Sequence, residues 1–75
     1  MSVFDYSKLR GKIKEVFGTE GNFAKAMVLS STALSQKLNN VVPFTQLEIN
    51  RACDLLGIPL EFIPVYFFTE KVKSS

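Results

Sequence analysis

Ser31, Thr32, Ser35 and Gln36 are uncharged hydrogen-bonding side chains at spacings that share one side of a helix. Short hydroxyls and one amide suit the edges of nucleic-acid bases, because they fit a major groove and a glutamine amide can pair with adenine N6 and N7. The same residues would serve equally well as a solvated helix face, so their meaning depends on what positions them. Catalytic chemistry is poorly provided for. The chain has no histidine, and its single cysteine, Cys53, falls between Ala52 and Leu56 on an apolar stripe. A thiol there has no base to activate it and is expected to be packed and inert. Neither paired carboxylates nor a glycine-rich phosphate loop stand in for the missing base, so no enzymatic activity is expected. Without histidine, and with one cysteine, the usual zinc ligand sets cannot be assembled, and no metal or cofactor is expected.

The elements that must hold these side chains read as all-helical, because apolar positions recur at helical spacing between glycine, proline and capping residues. The first helix carries Leu9, Ile13, Val16 and Phe17, with Asp5 as expected N-cap, Phe4 and Leu9 as a hydrophobic staple, and Gly18 as its stop. Gly11 inside it costs roughly 1 kcal/mol relative to alanine, so either another backbone passes close by or the helix simply tolerates it. Lys8, Arg10, Lys12 and Lys14 alternate, spread around the helix and read as a solvated face. The second helix opens at Thr19 and carries Phe23, Ala24 and Met27. The third begins at Ser30 with Leu29 and Leu34 as a staple, continues its stripe to Leu38, and stops at Asn39 and Asn40. The fourth has Thr45 and Glu48 in capping-box positions, Phe44 and Ile49 as a staple, and an apolar face of Ile49, Ala52, Cys53 and Leu56 that ends at Gly57. From Ile58 on, Pro59 and Pro64 allow only short turns, near 60–62 and 64–67.

The chain has 75 residues and a formal net charge of +2, with 47% apolar and 21% charged residues. These proportions describe one small folded domain rather than a disordered tail, and a size better suited to binding than to a deep enzyme cleft. The expected organisation is a helical core at 5–57, a proline and aromatic segment at 58–69 and a polar tail at 70–75. No signal-peptide pattern opens the chain and no run approaches a membrane span, so the expected location is the cytoplasm of a bacterial host cell, with no membrane partner.

The two helices at 19–27 and 30–38 are joined by a few residues, a helix-turn-helix layout. The run 22–40, NFAKAMVLSSTALSQKLNN, resembles the helix-turn-helix of the Cro and lambda-type repressor family, which is typical of bacteriophages. The likeness rests on Phe23 and Ala24 in the first helix, Leu29 and Ser30 at the turn, and Leu34 and Leu38 in the second. With its flanking helices it covers roughly 9–58. The ending of this run and the segment 63–68, IPVYFF, also resemble short phage-associated proteins that are mostly uncharacterised. The repressor family generally has glycine where this chain has Val28, because that turn position often takes a positive φ. The turn is therefore rearranged, or Val28 is strained, or it is an alteration of the natural residue.

What the resemblance implies is an all-α, lambda-repressor-like domain of four to five short helices that regulates transcription by binding operator DNA. Ser31, Thr32, Ser35 and Gln36 would read bases. Thr19, Asn22, Lys37, Asn39, Asn40 and Gln46 would meet phosphates, although Asn40 and Thr45 read first as a helix stop and a cap, and Glu20 would repel phosphate. Pro64, Val65, Tyr66, Phe67 and Phe68 would form a partner surface, for a weak homodimer on a two-fold operator or for another protein. The alternative function is a protein-interaction module that modulates a phage repressor by direct contact. A net charge of only +2 and the aromatic segment keep it open.

Overall fold

The computed structural model describes residues 3–71, so the expected tail at 70–75 lies outside the described residues from 72 on. The chain runs through α1 (Ser7–Phe17), α2 (Glu20–Ala26), α3 (Ser31–Leu38) and α4 (Gln46–Leu56), then a single 3₁₀ turn (Leu60–Phe62) and α5 (Ile63–Phe67). This is the expected all-α architecture. Among the described residues no strand forms, and extended backbone pairs only at an antiparallel bridge between Phe4 and Glu70. Glu70 and Lys71 are therefore tied to the start of the chain rather than trailing from it.

Helix starts follow side-chain chemistry. The hydroxyls of Thr19, Ser30 and Thr45 accept the backbone N–H of Asn22, Ala33 and Glu48, and Thr45 and Glu48 complete a reciprocal capping box. The exception is α1. Its N-cap is Tyr6 rather than Asp5, while Asp5 accepts hydrogen bonds from the N–H and hydroxyl of Ser7 two residues further on. That shift of one position turns Tyr6 inward, where its ring meets Phe44 edge-on at 5.4 Å.

The core joins Leu9 and Ile13 to Phe23, Ala24, Met27, Leu34, Leu38, Ile49, Ala52, Cys53 and Leu56, and is completed by Tyr6, Ile58 and Phe67. Phe17 and Leu29, which the helical periodicity placed inside, are half-buried at its margin. Burial pushes the Cys53 thiol up from its ordinary pKa, with Asp54 adding to the effect, which keeps it a neutral packed group.

Among the described residues, two non-glycine residues take positive φ, and both bound α3. Val28 adopts φ 60 in the turn before it and Asn40 adopts φ 64 after it. The turn is thus not rearranged to suit valine. Val28 carries the left-handed strain of a β-branched residue while 80% exposed, so its side chain gains almost no packing in return. Arg51 steadies this turn by donating to the Met27 carbonyl at 3.2 Å.

Gly11 is exposed, and a Cβ added there would meet nothing within 4 Å. No backbone passes close by, so the helix tolerates the residue at a cost. Gly11→Ala is expected to raise stability by about 0.5–1 kcal/mol, read as a higher urea midpoint with an unchanged slope.

Candidate interaction surface

Ser31, Thr32, Ser35 and Gln36 are all exposed on α3, and the Ser35 hydroxyl accepts from the Asn39 side chain at 3.2 Å. The only basic residue of this helix, Lys37, does not join them. It is 7% exposed, its ammonium lies 2.9 Å from the Glu48 carboxylate, and it donates to the Pro43 carbonyl at 3.2 Å. The expectation that Lys37 meets phosphate is therefore corrected. The loop at 39–45 folds back over the end of α3 and brings the capping box of α4 onto the ammonium. Burial alone would raise the pKa of Glu48, but the Thr45 N–H and the Lys37 ammonium outweigh it and hold the carboxyl below its ordinary value.

Four of the other five residues expected to meet phosphate are also engaged within the chain, and Gln46 is not. The Thr19 hydroxyl caps α2, and Asn22 donates its side-chain amide to the Phe17 carbonyl at 3.0 Å. Asn39 accepts from Arg10 at 3.1 Å, and Asn40 holds both the N–H and the carbonyl of Phe4. Gln46 is exposed at the first position of α4. Arg10 is not part of a solvated face, because it pairs with Glu20 at 2.6 Å and donates to the Leu38 carbonyl at 3.3 Å, joining three helices. Phosphate affinity depends on cations that displace condensed counterions. The expected set contained one cation, and the fold turns it inward.

A different surface carries exposed apolar side chains. The segment at 3–6, the α3–α4 loop and α5 enclose an apolar groove of about 280 Å³ lined by Val3, Phe4, Tyr6, Asn40, Val41, Val42, Pro43, Phe44, Ile49, Phe67 and Phe68. Its aromatic rings form a chain: Phe68 to Phe4 at 5.8 Å, Phe4 to Tyr6 at 6.2 Å, Tyr6 to Phe44 at 5.4 Å and Phe44 to Phe67 at 5.3 Å. Such tilted and edge-on arrangements suit the ring quadrupoles. Val3, Val41, Val42 and Phe68 remain substantially exposed along its rim.

The expected partner segment divides at this groove. Pro64 and Phe68 are exposed and Val65 and Tyr66 half-buried, but Phe67 is 1% exposed and belongs to the core. Ile63 and Phe67 stand one helical turn apart in α5, which turns both toward the interior and leaves Phe68 outside. Phe4, Tyr6, Val41 and Val42 were not among the expected contact residues. The run Val41-Val42-Pro43-Phe44, apolar yet outside any helical period, was the available signal.

A family model described as "Protein of unknown function (DUF739)" matches residues 1–70. The chain belongs to this family. The family shown is thus DUF739 and not the Cro or lambda-type repressor family that the run 22–40 resembles. No curated protein matches the chain. Among solved structures, it is similar to the modulator of repression (MOR) of the temperate bacteriophage TP901-1 from Lactococcus lactis, with 47% identity, 93% of this chain and 95% of that chain covered, and a TM-score of 0.80. This similarity overturns the reading of the DUF739 chain as an operator-binding repressor of Cro type, since the relative is a modulator of repression and not a repressor. It supports neither operator DNA nor a homodimer as partner. Among the described residues, no helix is long and apolar enough to cross a membrane.

Proposed function

We propose that this protein is a regulatory interaction module that modulates a phage repressor by direct contact. The observation that carries the reading is the 47% identity, across 93% of the chain, with a bacteriophage modulator of repression. The groove fits the role, because exposed aromatic groups beside an apolar groove are common anchors of a protein interface. Phe68 is half exposed at the end of α5, and Val41 and Val42 stand out from the α3–α4 loop. The hydroxyl face of α3 offers hydrogen bonds without charge.

Titration calorimetry with the repressor encoded by the same genome tests this. A stoichiometric complex is expected, with an affinity that changes little with salt, in contrast to the steep salt dependence of phosphate binding. Phe68→Ala should weaken it by about 1–3 kcal/mol, roughly fivefold to 150-fold, with the helical circular dichroism intact. Absence of any complex would refute the function. A complex indifferent to both Phe68→Ala and Val41→Ser would leave the function standing and refute the groove as its surface.

A further inference from the structure

The extended segment at 3–5 is gripped from two sides. On one, the Asp5 N–H donates to the Thr69 carbonyl at 2.7 Å and the Lys71 N–H donates to the Val3 carbonyl at 2.9 Å. On the other, the Asn40 carboxamide accepts the Phe4 N–H at 2.9 Å and donates to the Phe4 carbonyl at 2.9 Å. One side chain thereby plays the part of a neighbouring strand. It reaches Phe4 from a left-handed position, φ 64, which asparagine tolerates better than other residues with a side chain.

The grip is shallow. Val3, Asn40, Thr69 and Lys71 are all exposed, and the segment's main apolar contribution is the half-buried Phe4 ring against Tyr6 and Phe68. Tyr6 itself is buried, and the Asp5 carboxylate holds the N–H of Ser7, so the anchorage of α1 begins at the last residue of the segment. Val3 and Phe4 also form one wall of the aromatic groove.

We propose that residues 3–5, Asn40 and residues 69–71 form a latch that opens as a unit of its own, without unfolding the helices, and so uncovers the aromatic side of the groove. Segments held by exposed hydrogen bonds with little apolar burial are those that open locally, while amides of a packed core exchange only when the whole domain unfolds. Asn40 is the keystone, because its two bonds join the α3–α4 loop to both chain ends through Phe4. The latch rests on bonds within the chain and is independent of the repressor partner proposed above.

Amide hydrogen exchange on the full chain tests it. In the unaltered protein, the Asp5 and Lys71 amides should exchange with almost no dependence on low urea, whereas the Phe23 amide should depend on it steeply. Asn40→Gly keeps the left-handed backbone but removes the carboxamide. It should speed exchange at Asp5 and Lys71, neither of which bonds to Asn40, by at least about tenfold while Ile13 and Phe23 stay unchanged. The same variant should enhance the fluorescence of 8-anilinonaphthalene-1-sulfonate. Acceleration confined to Phe4, equal acceleration in the core, or unchanged dye emission would each overturn the latch. If the variant does not fold, the urea dependence of the unaltered chain decides, and equal dependence at Asp5, Lys71 and Phe23 refutes it.

Discussion

Phe67→Ala is expected to destabilise the protein by about 3–5 kcal/mol, the cost of emptying an aromatic site in a packed interior. The ring is 1% exposed and is among the largest side chains the fold buries completely. It packs edge-on against Phe44 at 5.3 Å and closes the end of the core beneath α5. Domains of this length have a total stability of roughly 4–11 kcal/mol, so the loss would leave the variant close to its folding threshold. Urea titration followed by circular dichroism measures it. A loss under about 1 kcal/mol would mean that the site collapses around the gap or that the ring is wet. Phe68→Ala provides the contrast, since a half-exposed side chain should cost far less stability while weakening the proposed complex.

Lys37→Ala should cost about 2–4 kcal/mol, because it leaves the Glu48 carboxylate shielded from water and without its ion-pair partner. The ammonium side chain is 9% exposed and the carboxylate 20%, so solvent screens this pair far less than a surface one. The pair also has a pH signature. A folded-state pKa held below the ordinary glutamate value of 4.5 contributes stability that is present above that value and is lost as pH falls through the lower, folded one. Unaltered protein and Lys37→Ala should therefore differ most near neutrality and converge as Glu48 becomes protonated. Glu48→Gln should flatten the acid limb of the stability profile. A stability gap that is constant from neutral to acid pH would assign the loss to packing of the lysine stem instead. Were Lys37 a solvated phosphate contact, Lys37→Ala would leave stability within about 0.5 kcal/mol.

Helix boundaries were legible where a local signal sufficed. A hydroxyl at Thr19, Ser30 or Thr45 accepts an N–H within its own first turn, and Gly18 and Gly57 take positive φ at the ends of α1 and α4. The left-handed backbone of Asn40 was legible too, since asparagine has a local preference for it. That the Asn40 amide turns to Phe4 was not, because the two residues are far apart in the chain and meet only through packing. The candidate surface was legible in part: Phe68 is exposed as expected, and its neighbour Phe67 is not.

Local sequence determined the all-α class, the caps of α2, α3 and α4 and most of the interior of this DUF739 protein, because apolar periodicity and capping act within a turn or two of a helix. Tertiary structure alone decided which polar groups stay free to act. Lys37 follows Leu34 by one turn at the edge of the buried stripe, and tertiary structure supplies the loop and the next helix that enclose it, since a buried ammonium settles where a carboxylate and a carbonyl can satisfy it. Tyr6, Ile58 and Phe67 lie at helix ends or in turns, where periodicity says nothing, and became core only when α5 and both chain ends folded onto α1 and α4. The groove arises in the same way, from three segments distant in sequence whose apolar side chains no single helix could cover.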